Sequence, residues 1–273
     1  RALANNSVAY KEKPQMGTYM REWLALYESK SGERGIFNRQ AAKKQASLNG
    51  RRDAEQDFGC NPCSEIILRP YQFCNLSEVV VRASDTQQTL TEKVRLATIL
   101  GTFQSTLTDF KYLRKIWRNN TEEERLLGVS LTGIMDNAMM SGKSAHLGMK
   151  IGATLNALKE QAIETNAAMA EQLGIPQSAA ITCVKPSGTV SQLVDSASGI
   201  HARHNPYYIR TVRGDNKDPL TQFMASVGIP AEPDVMKPDS TTVFSFPMKS
   251  PHGAVCRTDM GAIEQLELWL LYQ

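Results

Sequence analysis

Large apolar side chains recur with a helical period along much of this chain. In the stretch from residue 18 to residue 30 they share one face, as in an amphipathic helix. These side chains are Met20, Trp23, Leu24 and Tyr27. The same period recurs in later stretches, one of which ends at a glycine and a proline, the usual signals for a helix end. The predicted helices cover residues 18–30, 37–48, 85–109, 151–173, 219–227 and 260–273.

Short apolar runs between these helices predict strands at residues 63–68, 75–81, 179–184 and 241–246. The run from Leu126 to Leu131 is ambiguous. It is compatible with a buried strand, or with a longer segment in which Thr121 is an N-cap and Glu124 completes a capping box. Strands separated by long helices indicate an α/β fold with a mainly parallel sheet. We find no internal repeat and no interdomain linker, so residues 1–273 are treated as one domain.

The composition narrows the function classes. The chain has 273 residues, of which 41% are hydrophobic and 22% charged, as in ordinary globular proteins. A net charge of +3 is too small to favour nucleic acid or an anionic membrane as a partner. No apolar run is long enough to span a bilayer, and no signal core is present at the start. Because the chain begins at Arg1 and ends inside a predicted helix, we expect it to be part of a larger protein.

The cysteines are the main candidates for catalytic or metal-binding residues. Three of the five, Cys60, Cys63 and Cys74, lie between residues 59 and 78, and the odd total favours a reducing, cytoplasmic location over a disulfide scaffold. One interpretation is a zinc knuckle built on these three thiols, but it needs a fourth ligand and all histidines are distant in sequence. Another is a thioredoxin-like motif, which requires a helix after the first cysteine rather than an apolar run.

A third interpretation is a cysteine catalyst. Cys63 and Glu65 are two residues apart, so on a strand they would share one face, with Asn61 beside them. The amide can orient substrate hydroxyl groups, the carboxylate can take a proton, and the thiol can carry out a bond-making or hydrogen-atom step. Since no histidine base is near in sequence, redox or radical chemistry is favoured over acyl transfer.

Several motifs resemble those of a known family. The segment Asn61-Pro62-Cys63-Ser64-Glu65-Ile66 resembles the finger loop of ribonucleotide reductase large subunits. The spacing from Cys63 to Cys74 resembles the adenosylcobalamin-dependent, monomeric branch, in which glycine is more usual at the position of Ser64. Other family motifs follow in the family's order. They are Asn5-Asn6-Ser7-Val8, Gly35-Ile36-Phe37-Asn38, Asn75-Leu76-Ser77-Glu78, Gly128-Val129-Ser130-Leu131-Thr132-Gly133, Lys185-Pro186-Ser187-Gly188-Thr189-Val190-Ser191 and Tyr208-Ile209-Arg210.

The resemblance implies a role for each residue of the cysteine segment. Cys63 would carry the thiyl radical that removes the 3′ hydrogen of the ribose, and Glu65 would be the base on the 3′ hydroxyl group. Asn61 would hold the ribose hydroxyl groups. Cys74 would be one of two reducing thiols, and its partner in the family lies upstream of Arg1. We interpret Cys60, Cys183 and Cys256 as structural thiols.

The segment Pro186, Ser187, Gly188, Thr189 and Val190 is a candidate phosphate site. Small residues expose backbone N–H groups and two hydroxyl groups add donors, although most Ser-Gly-Thr turns are only turns. The resemblance implies that this loop binds the phosphates of the substrate.

The resemblance also implies a whole-protein function. The fold would be a ten-stranded α/β barrel of two parallel five-stranded halves around a central finger loop, of which this chain would be a part. The activity would be reduction of ribonucleoside triphosphates to 2′-deoxyribonucleotides for DNA synthesis, with adenosylcobalamin implied by resemblance alone. The resemblance also implies that the protein binds a deoxynucleotide effector, uses a thioredoxin-like reductant and is a monomer. The alternatives are an iron-dependent class that acts on diphosphates, a glycyl-radical subclass, and the zinc-binding module.

Overall fold

The computed structural model describes residues 7–30, 35–48, 50–143 and 148–273, without the side chains of residues 148–150. Asn5 and Asn6, which open one of the family motifs, lie outside the described residues. The helices in the described ranges are α1 Met16–Ser29, α2 Arg39–Ser47, α3 Gln87–Gln104, α4 Lys115–Glu124, α5 Gly148–Leu173, α6 Val190–Leu193, α7 Pro219–Ser226 and α8 Ala262–Tyr272. The strands are β1 Ser7–Tyr10, β2 Gly35–Asn38, β3 Gly59–Cys60, β4 Ile67–Leu68, β5 Asn75–Val80, β6 Leu127–Thr132, β7 Tyr207–Asp215, β8 Ala231–Pro233 and β9 Thr241–Lys249.

A parallel strand pair forms the centre of the fold. Strands β5 and β6 run in parallel from the pair Asn75 and Leu127 to the pair Val80 and Thr132, which decides the ambiguous run in favour of a strand. The predicted strand at 179–184 lies along the other edge of β6, where a single parallel bridge joins Val129 to Thr182. The carbonyl groups of residues 180 and 181 accept hydrogen bonds from β6. The prediction of an extended segment there is therefore confirmed, although its ladder is short.

Helices α3 and α5 pack on this sheet and close its core. Val79 and Val129 of the strands are buried together with Leu90 and Val94 of α3. Leu158 and Ala162 of α5 belong to the same apolar cluster. The apolar period that predicted α3 therefore faces the core only in the first part of the helix, since Leu100 and Phe103 are exposed.

Most predicted helices are confirmed with small differences at their ends. Helix α3 starts at Gln87, is capped by the side chain of Thr86, and ends at Gln104 rather than at residue 109. The predicted helix at 37–48 begins only at Arg39, because Phe37 and Asn38 belong to β2 and Asn38 caps the helix. No helix in the described part of the chain is both long and apolar enough to cross a membrane.

The predicted N-cap at Thr121 is wrong. Helix α4 begins at Lys115, so Thr121 and Glu124 lie in its last turns, and both are buried. The chain leaves the helix at Arg125, which has a left-handed backbone with φ of 43°. A capping-box pattern cannot distinguish the start of a helix from its end when the carboxylate is used in a tertiary ion pair.

The prediction of a mainly parallel sheet is right for β5 with β6 and for the bridge between Val129 and Thr182. The unpredicted strands β1 and β2 are also parallel, whereas β3 with β4 and the pairs of β9 are antiparallel. Strands β7, β9 and β8 form an antiparallel sheet in that order. Strand β7 pairs with β9 over nine residues and was not predicted, because its sequence YYIRTVRGD lacks an apolar alternation and both faces are largely exposed. The fold class α/β is confirmed, with a mixed rather than mainly parallel strand arrangement.

Candidate active site

The cysteine segment folds as a short hairpin, which we call the finger hairpin (residues 59–68). Strands β3 and β4 pair antiparallel, with Cys60 opposite Ile67. In the connecting loop, the Asn61 side-chain oxygen accepts a hydrogen bond from the Ile66 N–H at 3.0 Å. Ser64 has a φ of 62°, in the left-handed region. The predicted strand at 63–68 is therefore wrong before Ile67, and residues 62–64 form a turn.

This turn separates the two groups that strand alternation was expected to place side by side. Cys63 is exposed at the tip of the finger hairpin. The side chain of Glu65 is completely buried, with 0% of its surface exposed. Asn61 contributes to the loop through its hydrogen bond to the Ile66 backbone. The expectation that Cys63 and Glu65 share one face of a pleated strand is therefore wrong, because a turn lies between β3 and β4 at these residues.

The finger hairpin and the chain on either side of it are anchored to α4 by two ion pairs, the first of which is buried. The Arg52 guanidinium donates to both carboxylate oxygens of Glu124, at 3.1 and 2.9 Å, with both side chains at most 3% exposed. Gln72 donates to the same carboxylate. Arg69 pairs with Glu123 at 2.6 Å. These contacts fix both ends of the segment, so its loop is presented from a rigid base.

Glu65 is held by a lysine that lies far away in sequence. The Lys185 ammonium group donates to Oε1 of Glu65 at 2.9 Å. The other oxygen, Oε2, is buried and has no hydrogen-bond partner among the described residues. Burial opposes the charge of Lys185, but the hydrogen bond and the charge of Glu65 outweigh it and raise the pKa of Lys185 above its ordinary value.

A second carboxyl group, that of Glu78, contacts the segment that follows Lys185. The Ser187 hydroxyl donates to Oε2 of Glu78, on β5, at 2.9 Å. Oε1 of Glu78 is buried without a partner in the described structure. Burial raises the pKa of Glu78, and the hydrogen bond from Ser187 and the charge of Lys185 oppose that shift only in part.

The candidate phosphate segment, which we call the Ser-Gly-Thr loop (residues 186–190), is held in place by Ser187. This residue is 2% exposed, and its hydroxyl group accepts a hydrogen bond from the Ser191 N–H at 3.1 Å as well as donating to Glu78. Its carbonyl group accepts from the hydroxyl groups of Ser191 and Ser198. Ser187 therefore shapes the loop, and its hydroxyl group is already engaged on both sides.

The remaining residues of the loop face outward. The exposed members are Pro186, Gly188, Thr189 and Val190. The loop packs closely on Gly199, where a Cβ atom would lie 2.7 Å from the carbonyl oxygen of Lys185. Gly199 has a φ of 54°, so glycine is suited to this position for both its backbone and its lack of a side chain. The loop then leads into the short helix α6.

Two thiols lie close to Glu65. Cys74, which directly precedes β5, is half-buried, and its pKa is raised first by burial and then by the charge of Glu65. Cys183 and Cys74 pack against the same apolar cluster, which includes Ile66 of the finger hairpin. Burial, Glu65 and Cys74 raise the pKa of Cys183 to about 12. The sequence identified Cys183 only as a core residue, and the structure places it beside the candidate site.

The structure also bears on the competing interpretations of the cysteines. In the ranges that the structure describes, no group of three or more His, Cys, Asp or Glu side chains is arranged to hold a metal ion. Cys60, Cys63 and Cys74 are accordingly not brought together as zinc ligands. Cys60 lies on β3, not at a helix N-terminus, as a thioredoxin-like motif would require.

Two residues of this site were quoted in sequence motifs without a role. Lys185 opens the motif that contains the Ser-Gly-Thr loop, and Glu78 closes the motif that follows Cys74. Both are charged residues at the edge of apolar runs, which is the signal that could have identified them. Their partners are 120 and 109 residues away, so the pairing itself is visible only in the fold.

Comparison with known proteins gives a consistent result. No family model matches the chain. An adenosylcobalamin-dependent ribonucleoside-triphosphate reductase of Lacticaseibacillus paracasei is 30% identical over 92% of this chain and 36% of its own length. A protein of the same description from Levilactobacillus brevis is 30% identical over 81% of this chain and 32% of its own length. The chain thus spans about a third of these relatives.

The fold agrees with solved structures. A crystal structure of a B12-dependent, class II ribonucleotide reductase superposes with a TM-score of 0.74 over 98% of this chain and 40% of the other, at 24% identity. The alpha subunit of an Actinobacillus ureae class Id ribonucleotide reductase superposes with a TM-score of 0.56 over 81% of this chain and 46% of the other, at 15% identity. The resemblance seen in the motifs is confirmed, and the chain belongs to the ribonucleotide reductase family.

Proposed function

We propose that this chain is the finger-loop portion of the catalytic barrel of an adenosylcobalamin-dependent ribonucleoside-triphosphate reductase. The complete fold would be a ten-stranded α/β barrel of two parallel five-stranded halves. The parallel arrangement of β5, β6 and the segment at Thr182 supports this proposal. The observation that carries it is the carboxylate of Glu65, completely buried and with one oxygen without a partner, two residues from an exposed cysteine on a rigidly anchored hairpin.

In the proposed reaction, each finger residue has one task. Cys63, as a thiyl radical, takes the 3′ hydrogen atom of the ribose, and Oε2 of Glu65 accepts the proton of the 3′ hydroxyl group. Asn61 binds the ribose hydroxyl groups. Replacement of the 2′ hydroxyl group by hydrogen, with release of water, is a two-electron reduction. Cys74 with a second thiol supplies the two electrons and two protons, one for C2′ and one for the water, as the pair becomes a disulfide. Cys63 then returns the hydrogen atom to C3′.

The phosphates of the substrate would bind at the exposed part of the Ser-Gly-Thr loop. Gly188 permits close approach to the backbone, and Thr189 adds a hydroxyl donor at the surface. Ser187 contributes indirectly, since its hydroxyl group is bonded to Glu78 and Ser191. The link from Lys185 to Glu65 joins this loop to the finger hairpin, which would place phosphate binding and ribose chemistry at a fixed separation.

Adenosylcobalamin, when bound, supplies the radical that activates a thiol. The exposed position of Cys63 fits this, because its sulfur is accessible from outside the described chain. We assign no described side chain to holding the corrin ring, and the residue roles above do not depend on one. A thiyl radical needs shielding from solvent, so we expect other parts of the proposed barrel to cover Cys63. Family membership also leads us to expect a deoxynucleotide effector, a thioredoxin-like reductant, a monomer and a cytoplasmic location.

The proposal is tested by product formation in the protein that contains this chain. We expect deoxynucleotide from a ribonucleoside triphosphate when adenosylcobalamin and a dithiol reductant are both present, and none when the cofactor is omitted. Parallel reactions with a ribonucleoside diphosphate test the substrate class. Equal turnover without the cofactor, or turnover restricted to the diphosphate, would contradict the assignment to this class.

A further inference from the structure

Lys185 joins two parts of the candidate site that the sequence treats separately. It immediately precedes the Ser-Gly-Thr loop, and its ammonium group lies 2.9 Å from Oε1 of Glu65 on the finger hairpin. The lysine side chain is 26% exposed, whereas the glutamate side chain is completely buried. The contact therefore reaches from the surface of the site to a carboxylate within it.

The two oxygens of Glu65 are in different situations. Oε1 is bonded to Lys185, and Oε2 is buried without a partner in the described structure. A buried carboxylate oxygen without a hydrogen bond is costly, so such an atom in a folded protein points to a group that binds there. A carboxylate fixed at one oxygen cannot rotate freely, and its second oxygen keeps a defined direction.

We propose that Lys185 is a positioning residue that anchors Oε1 of Glu65 and so presents Oε2 to the ribose hydroxyl group. This inference rests on the proposed function, in which Glu65 is the base. It assigns Lys185 to the chemical step rather than to phosphate binding, although the lysine is next to the Ser-Gly-Thr loop. The two roles differ in their kinetic consequences.

Removal of a positioning contact lowers the rate of the chemical step while substrate binding is preserved. For Lys185→Met we expect kcat to fall about 10- to 100-fold, as is typical for small misplacements of a reacting group. KM should stay within about threefold of the wild-type value, because the exposed part of the loop is intact. A phosphate-binding role for Lys185 would instead raise KM and leave kcat almost unchanged, and that result would overturn the proposal.

Two further variants separate positioning from folding. Lys185→Arg retains a cation and should recover most of kcat, which a purely structural packing role would not predict. Lys93→Met is the matched control, because Lys93 also forms an ion pair with a largely buried carboxylate, that of Asp85, and is 35% exposed. We expect this control to keep kcat, since no contact links it to the finger hairpin in the described residues.

Chemical rescue provides a readout that does not depend on stability. In Lys185→Ala, a small alkylamine can enter the partly exposed site, and we expect it to restore part of kcat in proportion to its concentration. Absence of rescue together with a KM effect would overturn the proposal. Wild-type kcat in a folded Lys185→Met protein would also overturn it while leaving the proposed reductase function intact, since that function is tested by Cys63 and the cofactor requirement.

Discussion

Glu78 accepts the hydroxyl hydrogen of Ser187 at 2.9 Å, so a carboxyl group of strand β5 holds the Ser-Gly-Thr loop. Burial raises the pKa of this carboxyl group above its ordinary value of 4.5. A raised pKa means that the folded protein binds this proton more tightly than the unfolded chain does. The stabilisation is therefore present at low pH and is lost as the pH rises through the pKa of the folded state.

Glu78→Gln removes this titration and keeps an acceptor for Ser187. We expect the free energy of unfolding of the variant, relative to wild type, to increase as the pH rises from about 4 to about 8. Chemical denaturation across this range measures it. Glu92→Gln is the control of opposite sign, because Arg95 lowers the pKa of Glu92. If the difference in free energy of unfolding between Glu78→Gln and wild type stayed constant with pH, the account would be contradicted.

Gly128 of β6 makes room for the base of the finger hairpin. A Cβ atom there would lie 2.5 Å from Leu76, 3.0 Å from Ile66 and 3.2 Å from the sulfur of Cys183. We expect Gly128→Ala to lower the free energy of unfolding by about 1–3 kcal/mol, the usual cost of overpacking. Gly59→Ala is the control, because nothing lies within 4 Å of its Cβ position. Equal stability of the two variants would show that the hairpin is not packed on Gly128.

The ion pair between Arg52 and Glu124 anchors the segment that leads into the finger hairpin. Its side chains are 3% and 2% exposed, so removing one partner leaves a buried charge. We expect Arg52→Met to cost about 3–5 kcal/mol in unfolding free energy, and the double variant Arg52→Met with Glu124→Leu to recover much of it. Thermal and denaturant unfolding measure both. A double variant less stable than the single one would argue against an uncompensated charge as the cause.

The thiols should differ in reactivity. Cys63 is exposed, whereas the pKa of Cys183 is raised to about 12, so at about pH 8 Cys183 is almost entirely protonated. We expect iodoacetamide to modify Cys63 well before Cys183, with Cys74 slowed by its own raised pKa. Peptide mass spectrometry over time measures the order. Labelling of Cys183 as fast as Cys63 would contradict the described environment.

The helices were predictable because their signals are local. Helix α5 carries a continuous apolar period and ends at Leu173, directly before Gly174, which has a φ of 63°. Strand β7 was not predictable in this way, since its exposed, polar sequence becomes a strand only by pairing with β9. The pattern of Thr121 and Glu124 wrongly predicted the start of a helix, because Glu124 pairs with Arg52 and does not take part in a helix cap.

The residues of the candidate site were identified from the motif, but not their arrangement. The turn at Ser64 replaces the predicted strand, because a left-handed residue after Pro62 reverses the chain. The contacts that organise the site, from Lys185 to Glu65 and from Ser187 to Glu78, join residues more than a hundred positions apart. Such pairings depend on the parallel strands that bring these segments together.

The central claim, that Cys63 carries the reaction, is tested most directly by one substitution in the protein that contains this chain. We expect Cys63→Ser to abolish deoxynucleotide formation from ribonucleoside triphosphates in the presence of adenosylcobalamin. Cys60→Ser, in the same hairpin, is expected to retain activity. Deoxynucleotide formation at a wild-type rate by the Cys63→Ser protein would contradict the account.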